Sequence, residues 1–138
     1  MASIQLRVIF GDTDAMGVVY HGNYLRYFEA GRTEYLRSCG HRYRDLEREG
    51  FLLPVTEAQV RYLRPARYDD LLRVETSIAE LGRASLRFAY RLVREEDGEL
   101  LARGHTDHAC VGPDFRPRRF PEGLRAILEA EHRRVTGG

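Results

Sequence analysis

Two carboxylates and an imidazole crowd one short stretch of this chain, Phe10-Gly-Asp12-Thr-Asp14-Ala-Met-Gly17-Val-Val-Tyr20-His21-Gly-Asn-Tyr24. A carboxylate can attack a carbonyl carbon or take a proton from an attacking water. The unsatisfied N–H groups that open a helix can hold the oxyanion that develops. Asp14 beside a helix N-terminus would therefore suit chemistry at an acyl group. Asp is also a common turn and capping residue, and Asp12 reads as the turn-former of the pair. The side chain of His21 could orient Asp14 or water, or protonate a leaving group near neutral pH. Equally, His21 could act through its backbone N–H alone.

The elements on either side make that placement credible. Ile4, Leu6, Val8 and Phe10 alternate with more polar positions, which predicts a strand with one apolar face. From Asn23 to Ser38 the period becomes helical, with Tyr24, Phe28, Gly31 and Tyr35 on one stripe and Gly40 as a stop. Arg26–Glu29, Glu29–Arg32 and Glu34–Arg37 are spaced to form i,i+3 ion pairs along that helix. Arg42 to Glu49 predicts a short charged helix ended by Gly50. Strand patterns follow at Val60–Leu63, Leu72–Ile78, Leu86–Leu92 and Leu100–Val111, with turns at Tyr68-Asp-Asp70 and Glu96-Asp-Gly98. Pro121 to Arg134 predicts a terminal amphipathic helix. The expected fold is α+β: an antiparallel sheet of about five strands curled around a long central helix, as one domain over residues 1–138.

Composition narrows the function classes. The chain has 138 residues, 43% hydrophobic and 31% charged, with a net charge of +1. Such a balance offers no global field for nucleic acid or an anionic membrane. No stretch has the apolar length of a membrane span and the start lacks a signal-peptide core, so a cytoplasmic protein without membrane insertion is expected. Cys39 and Cys110 match no metal or redox spacing and read as reduced thiols. Every Lys or Arg position is Arg and Asn23 is the only Asn, a bias that a GC-rich genome accounts for most simply.

Asp12-Thr-Asp14-Ala-Met-Gly17-Val-Val-Tyr20-His21-Gly-Asn23-Tyr24, continued by Glu29-Ala-Gly-Arg32-Thr-Glu34, resembles the hotdog-fold acyl-CoA thioesterases of the 4-hydroxybenzoyl-CoA thioesterase family, nearest the Tol-Pal-associated branch. Tyr62-Leu-Arg-Pro65-Ala-Arg-Tyr68-Asp69-Asp70 adds a second match, and the element order fits from about Ile4 to Pro121. The resemblance implies acyl-CoA hydrolysis with Asp14 as the catalytic carboxylate and the His21 N–H as oxyanion donor. It implies that Gly17, Tyr20 and His21 shape the active-site loop. It also implies homodimers or homotetramers with active sites at subunit interfaces, and no cofactor beyond the CoA of the substrate.

Other residues carry weaker signals. Arg83 and Ser85 fall where such thioesterases often contact CoA, and Arg116, Arg118 and Arg119 form a basic segment that could meet its phosphates. Glu29 is a second catalytic candidate on the central helix, against a structural role in the ion-pair row. His105 and His108 lie on opposite faces of one strand and read as structural. No metal-ligand cluster, phosphate loop or dinucleotide fingerprint is present in the sequence. Two rival functions use the same fold: an enoyl-thioester hydratase or dehydratase, and a non-catalytic acyl-CoA-binding protein.

Overall fold

The computed structural model describes residues 2–136. The elements run β1 (Ala2–Arg7), α1 (Asn23–Ser38), α2 (Tyr43–Arg48), β2 (Val55–Tyr62), β3 (Leu71–Leu81), β4 (Ser85–Arg94), β5 (Leu100–Ala109) and α3 (Glu122–Thr136). The strands form one antiparallel sheet in the order β1-β3-β4-β5-β2. This is the α+β architecture expected from the sequence. Long-range pairing puts β1 beside β3 and leaves β2, the first strand after the helices, at the far edge.

α1 forms where apolar residues recur at helical spacing, and it buries Tyr24, Tyr27, Phe28, Gly31, Tyr35 and Leu36. Phe28 stacks on Tyr90 of β4 with ring centroids 4.4 Å apart, and Tyr35 meets Phe88 edge-on at 5.9 Å. Gly31 lets the helix lie close against the sheet, because a Cβ there would stand 2.7 Å from Thr76 Oγ1 and 2.8 Å from Val74 Cγ1. The helix ends as its sequence predicts. Gly40 adopts φ +84°, and His41 N–H donates back to the Leu36 carbonyl at 2.9 Å, which closes the last turn. Leu72, Val74, Ile78, Leu86, Phe88, Leu92 and Leu101 complete the core beneath it.

Two sequence expectations need correction. The first strand stops at Arg7 instead of continuing through Phe10, and Phe10 is 78% exposed. The Asp12 carboxylate accepts the Ile9 N–H at 3.3 Å, and the chain bends into a short 3-10 turn over Phe10–Asp12. Of the three helix ion pairs, only Glu34–Arg37 forms. Arg26 lies 3.6 Å from Asp12, and Arg32 turns inward beside the Tyr90 and Tyr43 hydroxyls. Tertiary partners thus outcompete two of the local pairs.

Candidate active site

The Asp12–Asp14 turn is built so that its two carboxylates have different fates. Asp12 is buried, accepts from the Tyr27 hydroxyl at 2.9 Å, and its backbone carbonyl accepts from Tyr20 N–H and Asn23 Nδ2, each at 2.9 Å. Those bonds fix the loop to the first turn of α1. The Tyr27 phenol is correspondingly held neutral, with burial and then the Asp12 bond raising its pKa. Asp14 instead heads a tight turn that Gly17 N–H closes onto its carbonyl at 3.0 Å. Gly17 sits at φ +80°, the left-handed region in which glycine is unstrained. One Asp14 oxygen, Oδ1, accepts Met16 N–H at 2.9 Å; among the described residues nothing donates to Oδ2.

Asp14 and His21 line one pocket of about 290 Å³, together with Val18, Tyr24, Tyr62 and Pro65. His21 stands one residue before Gly22, the N-cap of α1, and among the described residues no group accepts its N–H or that of Gly22. These are the unsatisfied donors expected at a helix start. The His21 carbonyl is held in place: Tyr62 Oη, from the end of β2, donates to it at 2.9 Å. The His21 ring packs 4.4 Å from Tyr20 and edge-on to Tyr62 at 6.3 Å. Tyr24 Oη accepts Ala66 N–H at 3.1 Å, and burial raises the pKa of its phenol, with the Asp14 charge adding to the rise. The pocket thus combines an open carboxylate oxygen, an unaccepted N–H at a helix start and a mainly apolar lining.

The structure brings some of the sequence candidates together and separates others. Gly17 and Tyr20 shape the loop around Asp14 and His21. Ser85 lines a different cavity of about 540 Å³ at the far end of the sheet, and Arg83 is exposed in the β3–β4 hairpin beside it. Arg118 is engaged by the protein itself: it donates to the Gly50 carbonyl at 2.8 Å and lies 3.8 Å over the Phe51 ring. Glu29 lines two further cavities and has no ion pair among the described residues. His108 is buried between Thr106 Oγ1 at 2.7 Å and the Leu53 carbonyl at 3.0 Å. Glu57, His105 and Asp107 place their ligand atoms within 4.8 Å of one another. There Arg87 donates to both Asp107 oxygens, at 2.6 and 3.0 Å, and takes the place a cation would fill. Tyr24 and Tyr62 are the site residues that sequence reasoning missed. Tyr24 read as core, and only the fold carries Tyr62 to the helix start.

The model of the thioesterase-like superfamily matches residues 8–128. An acyl-CoA thioesterase, YbgC, of Haemophilus influenzae is 38% identical over 128 residues, covering 91% of this chain and 93% of its own. A DHNA-CoA thioesterase of Staphylococcus aureus superposes with a TM-score of 0.91 at 31% identity, covering 99% of this chain and 95% of its own. A hypothetical protein of Thermus thermophilus, TT1821, superposes with a TM-score of 0.90 at 37% identity, covering 96% and 100%.

Proposed function

The chain belongs to the thioesterase-like superfamily, and on that footing we propose that it hydrolyses acyl-CoA thioesters to the free acid and CoA. One observation carries the site assignment. Asp14 and His21 line the same pocket at the start of α1, and among the described residues nothing donates to Asp14 Oδ2 and nothing accepts the His21 N–H. In this reading the thioester carbonyl oxygen docks on the His21 N–H. Asp14 Oδ2 attacks the carbonyl carbon or deprotonates the water that does. The C–S bond breaks, the acyl group gains the hydroxyl of water, and the thiolate leaves to become the CoA thiol. Oxyanion stabilisation by one such donor is worth about 2.7–4 kcal/mol in other enzymes. The α1 dipole, positive at this end, adds to it.

The working unit in this proposal is a homodimer or homotetramer, placed in the cytoplasm. The pocket is rimmed by exposed apolar side chains, Met16 at 79% and Tyr62 at 48%, which a second copy would cover. No helix among the described residues is long and apolar enough to cross a membrane. The activity is tested by following free-thiol release from a series of acyl-CoA and aryl-CoA thioesters. Saturable release with stoichiometric acid supports hydrolysis; saturable binding without release would leave a binding protein, and an absorbance change on enoyl thioesters without release would indicate a hydratase.

A further inference from the structure

The outward side of the sheet carries a row of charge that the sheet does not neutralise. Arg91 of β4 stands opposite Arg103 of β5, and Arg103 stands opposite Arg61 of β2. Directly opposed residues have Cβ atoms about 4.5–5.5 Å apart, and like charges there are destabilising. Arg91 is compensated by Glu75, at 2.6 Å, although Glu75 also serves Arg73 at 3.1 Å. Arg61 and Arg103 form no ion pair among the described residues. The next row on the same face is Ala89, His105 and Gln59. The small Ala89 side chain leaves a depression of about 390 Å³ bounded by Gln59, Arg61, Arg91, Arg103 and His105. His105 Nε2 is buried without a hydrogen-bond partner, and Glu57 lies 4.0 Å away. The remaining nearby acid, Asp107, is held by Arg87.

We propose that this depression binds a phosphate-bearing ligand that bridges Arg61 and Arg103. Two adjacent guanidinium groups with an open cup between them match a diphosphate-like anion in charge and in donor geometry. A single carboxylate would leave one of the two uncompensated. A nucleic-acid backbone is a poor fit, because Glu57, Glu75 and Asp107 flank the row and interrupt any basic track. The ligand is either a free phosphate-bearing metabolite or the phosphate end of CoA itself. The site shares no lining residue with the Asp14 pocket; diphosphate binding does not depend on the hydrolytic reading, whereas assignment to CoA phosphates rests on it.

The test titrates inorganic diphosphate into the full-length protein by calorimetry and follows Tm in parallel. Wild type is compared with Arg61→Gln/Arg103→Gln and with a charge-matched control, Arg44→Gln/Arg133→Gln, whose sites lie on α2 and α3. Wild type and control are expected to bind saturably, and the Arg61/Arg103 variant to lose at least about tenfold in affinity. Without ligand that variant is expected to melt above wild type, since the opposed charges are gone. Should it fail to fold, Arg103→Gln alone serves, with the same expected directions. Competition between CoA and diphosphate would support the site and assign it to CoA phosphates; saturable diphosphate binding that CoA leaves intact would support it with a free metabolite as ligand. Absence of saturable binding to wild type, or an equal loss in the control, would overturn the proposal. So would a change of oligomeric state in the Arg61/Arg103 variant without any diphosphate effect, which would make this face an interface between copies.

Discussion

At the scale of the residue, the two aspartates of one turn are distinguished by their hydrogen bonds. Asp12 places its carboxylate on Tyr27 and Ile9, whereas among the described residues nothing donates to Oδ2 of Asp14, which lines the pocket. That difference was partly legible in the sequence, because the motif is contiguous and glycine marks the turn. The tyrosines were not legible, since Tyr62 reaches the site only through β2. Tyr62→Phe removes its hydrogen bond to the His21 carbonyl while keeping the ring. A neutral hydrogen bond is worth about 0.5–1.5 kcal/mol, so kcat should fall by about 2- to 10-fold with KM little changed. A fall in kcat/KM carried wholly by KM would assign Tyr62 to substrate binding instead. His21→Ala deletes the imidazole and keeps the N–H; steady-state kinetics should show a smaller loss than for Asp14→Asn. An equal loss would make the side chain a working group. Arg118 is the opposite lesson. Its charge suggested a phosphate contact; the fold adds a structural role that the sequence did not show, since the Arg118 guanidinium donates to the Gly50 carbonyl and lies over the Phe51 ring in the loop after α2.

At the scale of the element, α1 connects packing to chemistry, because its start carries the His21 N–H and its face fills the sheet. Periodicity was enough to place this helix and its glycine stop. It failed at the end of β1, where alternation continues through Phe10 but Asp12 captures the Ile9 N–H. It also overstated the surface ion pairs, since spacing does not register a better partner across the fold. Gly31→Ala places a Cβ against Thr76 and Val74. Overpacking of this kind costs about 1–3 kcal/mol, offset in part by the helix preference of Ala, about 1 kcal/mol. Urea unfolding should show a net loss of stability, with reduced kcat as the helix start shifts relative to Asp14. Unchanged stability and turnover would show that α1 and the sheet adjust without cost.

At the scale of the whole molecule, stability should fall as pH drops through the His108 window. Burial pushes His108 from the ordinary 6.5 down to about 4, because desolvation penalises the imidazolium. The unfolded chain therefore takes up this proton at a higher pH than the folded one. Stability from this group is full above about pH 6.5, declines as pH falls toward 4, and levels off below, a total of about 3 kcal/mol. Urea midpoints across that window should fall for wild type and fall less for His108→Gln; parallel slopes would contradict it. The α+β order was legible because hairpin signals and one long helix dictate it, but the meeting of β2 with the start of α1 is a product of the folded sheet alone. The most direct test of the account is steady-state thiol release from an acyl-CoA that wild type hydrolyses, by wild type and by Asp14→Asn with matched folding and Tm. Loss of the nucleophile or base should lower kcat by at least about 100-fold. Turnover within about twofold of wild type by the folded Asp14→Asn protein would contradict the central claim.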